Sequence, residues 1–582
     1  VLGIWYAGGV EQTDAAVLQA LIERGVLPAA SATGVEAQLD GGVTLEQALV
    51  EGDVIDGETL AQVRAEVLGM PYVDLREKQI ARDVLNIIPE STARGHMIIA
   101  YEDTEAALLV AMANVRDRQI VEFIRKKVNK PVEVAVASAG AIRDVLGQYQ
   151  QSLAVELDDV VSEELKSVSA TTGEGGADEL PVIRITQAIL KHAIVEGASD
   201  IHIEPTETDV VVRYRIDGIL HDMLKLPKVL QPGLVARIKV LASLKIDEHR
   251  LPQDGRFKLE ADEYKVAFRV SILPVFDGEK VVMRLLDESG EAIGLDEIGL
   301  RPGPLKLLRR AIERPHGMLL VTGPTGSGKT TTLYAVMQEL STPEVNISTI
   351  EDPIEYRMPR VNQTQVKPTI GLTFANGLRS LVRQDPDIIM VGEIRDEETA
   401  SLAVNAALTG HLVLSTLHTN SAAGALPRLR DMQVEAFLLA STLNMVAAQR
   451  LVRRLCEKCR TEQPLTEALL TDIGKEVSLK ALQAVLAAEG LLREGQKLED
   501  LSIFSPKGCR RCQDGYKGRT GIYELLPITP EIQALITPET TSAELEAAGR
   551  KHTGFVSMLE DGLVKVVQGI TSVEEVLRVA RE

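Results

Sequence analysis

Aromatic side chains make up 3% of the 582 residues, with one tryptophan, so core volume has to come from Val, Ile, Leu and Ala. No run of about 18 apolar residues occurs, which excludes a membrane-spanning helix of ordinary length. The opening stretch VLGIWYAGGV is apolar, but it is short and lacks a basic start, so it does not read as a signal peptide. The chain begins at Val1 rather than methionine, which points to a fragment or a processed chain. Positive charge is also scarce. With 63 Lys+Arg against 84 Asp+Glu, the net charge of −21 argues against a general nucleic-acid binder. The apolar share of 45% and the charged share of 25% are ordinary globular values, which excludes a long disordered chain. Only four cysteines are present, and they form two tight pairs, Cys456/Cys459 and Cys509/Cys512. That is metal spacing in an intracellular chain, and a cytoplasmic protein is expected.

What is present divides the chain into domains. Residues 1–153 mix helical periodicity with short apolar strands, including a hairpin from Met97–Ala100 and Ala107–Val110. Leu21-Ile22-Glu23 with Val26-Leu27 recurs 28 residues later as Leu49-Val50-Glu51 with Val54-Ile55. That spacing predicts two copies of a small helical unit. Residues 154–180 are acidic and then Ser/Thr/Gly-rich, which predicts a flexible linker. A small α+β domain is expected over 181–298. Its helix lies at Ile185–Glu196, its strands at Asp200–Glu204, Asp209–Asp217, Glu263–Ile272 and Lys280–Leu286, and a turn at Asp217-Gly218. Val210, Val212, Tyr214 and Ile216 share one strand face, and Val211, Arg213, Arg215 and Asp217 the other. Residues 299–582 alternate apolar strands with helices. This is the α/β pattern of a mostly parallel sheet covered on both faces, followed by a helical tail from Ser542.

Gly323-Pro324-Thr325-Gly326-Ser327-Gly328-Lys329-Thr330, followed by Thr331, fits the phosphate-loop pattern, and its context fits as well. The run GMLLVT (Gly317–Thr322) reads as a buried strand before it, and Lys329–Leu340 as a helix after it. In such a loop, backbone N–H groups and the helix N-terminus cradle phosphates. Lys329 is then expected to reach the β- and γ-phosphates of ATP, and Thr330 to ligate Mg²⁺. Three further apolar runs end in chemistry: Asn346–Ile350 in Glu351, Asp387–Gly392 in Glu393, and His411–Leu417 in His418. In an open α/β sheet, ligands bind at the carboxyl ends of strands, so Glu351, Glu393 and His418 are expected on the phosphate-loop edge. His411, at a strand start after Thr409-Gly410, reads equally as a brace for that loop, and His202, within a strand, as a packing residue. The paired CxxC motifs are separated by 49 residues and can close one tetrahedral site, with Zn²⁺ favoured and a structural role. Lys458, Arg460, Arg510 and Arg511 would offset its charge.

These residues resemble a known family. LVRQDPDIIMVGEIRD (Leu381–Asp396), ASDIHIEP (Ala198–Pro205), LPQDGR (Leu251–Arg256), GEKVVMRLL (Gly278–Leu286), STIEDPIEY (Ser348–Tyr356) and TGHLVLSTLHTN (Thr409–Asn420) look like the motifs of the type II secretion and type IV pilus assembly ATPases. The tetracysteine insertion at 456–512 resembles that of the extension and secretion branch. The resemblance implies a RecA-like ATPase domain after a PAS-like small domain, and an N-terminal docking or regulatory domain. It implies a homohexameric ring peripheral to the inner membrane, where an inner-membrane platform protein and a cytoplasmic adaptor are partners. Glu351 is then the catalytic carboxylate, Glu393 the glutamate supporting Mg²⁺, and His411 with His418 the histidine pair. Arg256, Arg269 and Arg284 are the arginines expected to reach the triphosphate, with Arg213 and Arg215 as substitutes. Pilus assembly is the leading reading and type II secretion the alternative. A RecA-like nucleic-acid translocase and a non-hydrolysing regulatory ring are the competitors. The first is disfavoured by charge and low aromatic content, the second by the intact lysine, glutamates and histidines. The repeat at 15–66 resembles the family's paired cyclic di-GMP motif. Ala16-Val17-Leu18 and Thr44-Leu45-Glu46 stand where that motif has Arg-Leu-Gly, so weak or no binding is expected.

Overall fold

The structure, a computed structural model, describes residues 10–28, 34–35, 44–51, 54–76, 78–115, 117–128, 130–146, 148, 179–261, 264–287, 293–493, 495–509 and 512–581. All but the last two residues of the expected linker at 154–180, and both Arg510 and Arg511, lie outside them. The chain forms two compact units, Val1–Ile216 with Leu220–Leu285, and Leu286–Glu582 with Asp217–Ile219.

The first unit begins with α1 (Val10–Glu23). Val26 and Leu27 both donate their N–H groups to Leu21 O, at 3.1 and 3.2 Å, and Val54 and Ile55 donate to Leu49 O at 2.9 and 3.1 Å. The repeated residues therefore repeat their backbone bonds as well. Leu21 and Leu49 share one buried cluster with Leu27 and Leu60, the last from α2 (Gly57–Leu68). A second cluster surrounds a three-stranded sheet in the order β1 (Ile98–Asp103), β2 (Leu108–Met112), β3 (Val132–Val136), with α3 (Arg118–Val128) against it. The hairpin expected from Met97 onwards is β1–β2, joined antiparallel.

The small domain starts at α4 (Glu179–Val195) and holds a six-stranded sheet. Its strands are β4 (Asp200–Pro205), β5 (Asp209–Ile216), β6 (Ile219–Pro227), β7 (Gln253–Ala261), β8 (Tyr264–Val275) and β9 (Gly278–Asp287), in the order β6-β5-β4-β9-β8-β7. β5 alternates buried and half-buried residues along its length, with Val210, Val212, Tyr214 and Ile216 inward as the period of two requires. Apolar side chains of α4 and of α5 (Gln231–Leu241) join this core, and the Tyr214 hydroxyl donates to Ile189 O at 2.7 Å. The opposite face is charged. β7 was not foreseen from the sequence, and it carries Arg256 directly opposite Arg269 of β8.

The second unit is built on a seven-stranded sheet. Its strands are β10 (Gly317–Thr322), β11 (Ile347–Glu351), β12 (Val361–Gln365), β13 (Ile388–Val391), β14 (Leu412–Leu417), β15 (Leu443–Leu455) and, after the cysteine segment, β18 (Tyr516–Pro527). The order is β12-β11-β13-β14-β10-β15-β18, parallel except that β18 runs antiparallel to β15 at the edge. Every residue of β10, β13 and β14 is buried, as a sheet covered on both faces demands. The helices include α6 (Pro302–Ile312), α7 (Lys329–Leu340), α8 (Phe374–Leu381) and α9 (Glu397–Leu408). The segment between the cysteine pairs contains β16 (Thr461–Pro464), α10 (Glu467–Glu476), α11 (Leu479–Ala488) and β17 (Ser502–Ser505). The tail forms α12 (Ser542–His552), α13 (Met558–Val567) and α14 (Val573–Arg581). Leu470, Ile473, Leu482 and Leu486 of the segment share a core with Leu563, Val564 and Val576 of the tail.

A buried ionic network ties the tail to the sheet. Asp561 of α13 accepts from Arg301, from Lys565 Nζ at 2.7 Å and from Tyr523 N–H at 3.0 Å, while Arg301 also pairs with Glu489. Removing Asp561 leaves two buried cations short of their shared counter-ion. Asp561→Ala is expected to destabilise this unit by ~3–5 kcal/mol, read as a lower denaturant midpoint. Asp561→Asn, which keeps an acceptor, should lose less.

Candidate active site

The edge of the seven-stranded sheet gathers the chemistry. In the order β11-β13-β14-β10, the strand ends bring Glu351, then Glu393, then His418, then the loop Gly323–Gly328 to one side. Register enforces this, because Thr322 lies opposite Leu417, Val391 opposite Ser415 and Ile350 opposite Val391.

The loop's shape depends on its glycines. Gly328 has φ +87°, and a Cβ there would lie 2.8 Å from Gln449 Nε2. At Gly323, φ +151°, a Cβ would lie 2.5 Å from Gln449 O. Gln449 is itself fixed, accepting from Thr332 Oγ1 at 2.7 Å. Helix α7 starts at Lys329 with no side chain capping its N-terminus, so its first N–H groups and its positive dipole end face the loop. Lys329 Nζ folds back to donate to Gly323 O and Pro324 O at 2.8 and 2.9 Å. Burial draws this ammonium below its ordinary pKa, and the charge of Glu393 opposes the shift. The buried Ser327 hydroxyl has no protein partner among the described residues. Backbone donors, a lysine and an open hydroxyl around glycines that no Cβ can replace are a fit for phosphate oxygens. Thr330 is the second residue of α7, half-buried beside them, with Thr331 after it.

The two glutamates differ. Glu393 pairs with Arg395 Nη2 at 2.5 Å and with His418 Nε2 at 3.1 Å, and Arg395 is largely exposed. Glu351 is buried and has no basic partner among the described residues. It accepts hydrogen bonds from Tyr334, from Thr349 Oγ1 at 2.5 Å and from Gln363 Nε2 at 3.2 Å. Burial raises its pKa against those three bonds, which stabilise the carboxylate. A carboxylate moved towards neutrality suits proton transfer, and one beside cations suits a fixed charge.

His411 is not brought to this edge. It precedes the start of β14, seven residues from His418, a separation of about 20 Å along an extended strand. Its Nδ1 lies 2.9 Å from Ala406 O at the end of α9, so here it braces the helix–strand turn. In the small domain, Arg284 Nε donates to Asp200 at 3.1 Å and Arg215 lies 3.8 Å from the same carboxylate. Arg213 pairs with Glu204 at 2.5 Å, which Lys280 also reaches at 2.7 Å. His202 Nδ1 lies 3.4 Å from Glu204 and its pKa is lowered by burial, as a packed strand histidine's would be. The partners Tyr334, Gln363 and Gln449 carry no motif. Arg395, two residues after Glu393 in the same run, was within reach of a closer reading.

The four cysteines form a separate centre in which each sulfur lies within 4.8 Å of the others. Cys456–Cys509, Cys459–Cys512 and Cys509–Cys512 are 3.9, 3.7 and 3.5 Å apart. A tetrahedron with a metal–sulfur bond of 2.3 Å has edges of about 3.8 Å, so this set can hold one metal ion. Burial pushes the Cys456 thiol up, and Cys512 to about 12. A bound cation reverses such shifts. β16 starts two residues after Cys459 and β17 ends four before Cys509, and the pairing of Thr461 with Ser505 brings the two turns together.

Comparison with known proteins agrees with this geometry. The family model described as type II/IV secretion system protein matches residues 176–578, and the MshEN domain model matches 68–156. The type IV pilus assembly ATPase PilB of Myxococcus xanthus is 39% identical over 553 residues, 93% of this chain and 94% of that one. PilB of Pseudomonas aeruginosa is 39% identical over 575 residues, 97% of this chain and 98% of that one. The type II secretion system ATPase E of Vibrio cholerae is 49% identical over 406 residues, 70% of this chain and 76% of that one. With its phosphate loop intact and its match running through both the small domain and the seven-stranded sheet, the chain belongs to the type II/IV secretion system protein family, as an ATPase of the pilus-assembly and secretion kind.

Proposed function

We propose that this chain is the motor ATPase of type IV pilus assembly, acting as a homohexamer at the inner membrane. The observation that carries this reading is the single sheet edge shared by the phosphate loop, Glu351, Glu393 and His418, in a chain matched nearly end to end by pilus assembly ATPases. Lys329 releases the loop carbonyls and bonds the β- and γ-phosphates of ATP. Thr330 and Glu393 would hold Mg²⁺, which would supply positive charge to offset that on the phosphates. Glu351, desolvated and held by Tyr334, Thr349 and Gln363, orients the attacking water. His418, 3.1 Å from Glu393, faces the γ-phosphate. His411 contributes by placing the start of the same strand. From the small domain, Arg256 and Arg269 are the arginines for the triphosphate, and Arg284 joins them by leaving Asp200.

The domain division behind this reading is an N-terminal docking domain at 1–153, a linker at 154–180, a small domain at 181–298 and the ATPase domain at 299–582. The docking domain meets a membrane-associated partner, the ring drives an inner-membrane platform protein, and a cytoplasmic adaptor is a further partner. No helix among the described residues is long and apolar enough to cross a membrane. Cyclic di-GMP is bound weakly or not at all. Glu46 occupies a position where that ligand needs closeness, and it pairs with Arg64 at 3.2 Å. Type II secretion is the second reading, favoured by the 49% identity to the Vibrio cholerae ATPase.

Phosphate release tests the chemistry. Lys329→Ala should lose at least ~100-fold in turnover while staying folded. Glu351→Gln should still bind ATP and fail to hydrolyse it, whereas Glu393→Gln should weaken binding in a Mg²⁺-dependent way. Normal hydrolysis by Glu351→Gln would reverse the two roles. Which platform protein co-purifies, that of a pilus or of a secretion system, decides between the two readings. Turnover that rises with added nucleic acid would favour a translocase instead.

The cysteine site is assigned to a structural Zn²⁺. Freshly purified protein should carry about one Zn²⁺ per chain by elemental analysis. Cys509→Ser should lose the metal and loosen the segment between β16 and β17, with the phosphate loop still binding nucleotide. Iron, or no metal, would refute the assignment.

A further inference from the structure

Glu524 sits on β18 opposite Ala448 of β15, is 6% exposed, and has no ion-pair partner among the described residues. A buried carboxylate without a cation is costly, and an apolar residue would fill the same place at less cost. Its bonds show what it offers in return. One oxygen accepts the Ala422 N–H at 2.8 Å, and the other accepts the Met558 N–H at the start of α13 at 3.4 Å.

Ala422 ends the segment that begins at His418. The near end of this segment is pinned to the phosphate-loop strand, because Thr419 N–H donates to Thr322 Oγ1 at 2.9 Å and that hydroxyl lies 2.9 Å from Thr419 O. Between the two ends, Asn420 Oδ1 accepts from Arg450 Nη2 at 3.4 Å and Thr419 Oγ1 donates to Ser421 O at 3.0 Å. The segment is thus a short bridge with one foot on β10 and the other on Glu524, and His418 stands at its entrance. We propose that Glu524 is a positioning residue for ATP hydrolysis: it holds the Ala422 backbone so that His418–Ala422 stays at the phosphate edge, and it ties that segment to the N-terminus of α13.

The surroundings let this tie respond to pH. Burial raises the carboxyl from 4.5 to about 7, Glu546 adds to the rise, and the two N–H groups and Arg550 oppose it. Arg550 is itself paired with Glu560 of α13 at 3.0 Å, and Arg450 faces the bridge through Asn420. The ionised carboxylate accepts both N–H bonds at full strength, so the hold tightens as pH rises through neutrality.

The inference rests on the placement of His418 at the γ-phosphate, and the experiment separates the two. Steady-state hydrolysis is measured with the full chain for Glu524→Leu, Glu524→Gln, His418→Ala and the Leu/Ala double variant. Glu524→Leu should lose about tenfold or more in kcat with KM for ATP within about twofold. Glu524→Gln, whose carbonyl oxygen can still accept from Ala422, should recover most of kcat and lose the inflection near neutral pH from the kcat profile. The double variant should lose less than the product of the single losses. Full kcat in a folded Glu524→Leu, multiplicative losses, or an unchanged inflection in Glu524→Gln each overturn the proposal, the last even where the leucine variant does not fold. Full turnover in His418→Ala defeats the placement of the histidine and the inference with it. A defect in His418→Ala beside a normal Glu524→Leu defeats the inference alone.

Discussion

Everything at the active edge depends on β10 being hydrogen-bonded on both sides and buried on both faces. Such a strand cannot shift register without breaking two ladders and moving apolar side chains from one core into the other. Its end is therefore fixed, and the glycine loop, the start of α7 and the position of Lys329 follow from it. The neighbouring strand ends are placed by the same ladders. The site thus comes from the register of parallel strands, and its side chains are the residues at which each strand stops.

Around that edge the two buried carboxylates are given partners of different kinds. Glu351 has three hydrogen-bond donors and, among the described residues, no cation beside it, while Glu393 has a cation and an imidazole. The two carboxylates therefore stand in different electrostatic settings although their strands are adjacent. The Asp561 network applies the same rule to structure, with one carboxylate shared by Arg301, Lys565 and a backbone N–H. The aromatic scarcity of the chain is visible here too. Tyr334, packed edge-on to Tyr356 at 4.7 Å, is one of the few large rings in this core, and its hydroxyl is spent on Glu351.

The sequence was most legible where chemistry and periodicity coincide. GMLLVT before a glycine loop could only be a central strand, and the two CxxC pairs announced a four-sulfur site at any separation. The repeat at Leu21 and Leu49 was legible in short apolar matches, and it reappears as the same pair of backbone bonds. β7 was not legible, because QDGRFKLEA offers Phe257 and Leu259 as its only large apolar residues and has a glycine at its third position. Its pairing with β8 makes it a strand, which is a non-local cause. His411 and His418 lie in one motif, yet an extended strand separates them, so proximity in sequence did not mean proximity at the site. Two of the three partners of Glu351 were not legible for another reason. Tyr334 comes from α7 and Gln363 from β12, the strand beside β11, and neither residue type announces such a role.

The pairing of Thr461 with Ser505 has an effect on how this chain can change. The 49 residues between the cysteine pairs leave and re-enter the ATPase domain at neighbouring points, and β15 and β18 pair without them. Closing a longer loop across such a gate costs little, about 0.6 kcal/mol per doubling of length. The helices inside the gate are less free, because Leu470, Ile473, Leu482 and Leu486 pack on Leu563, Val564 and Val576 of the tail. A substituted segment that kept the gate but not those four side chains would leave part of the tail's apolar face in water. The segment and the C-terminal helices therefore form one exchangeable module, spliced into the chain at two places, and a functional chimaera has to carry both halves across together.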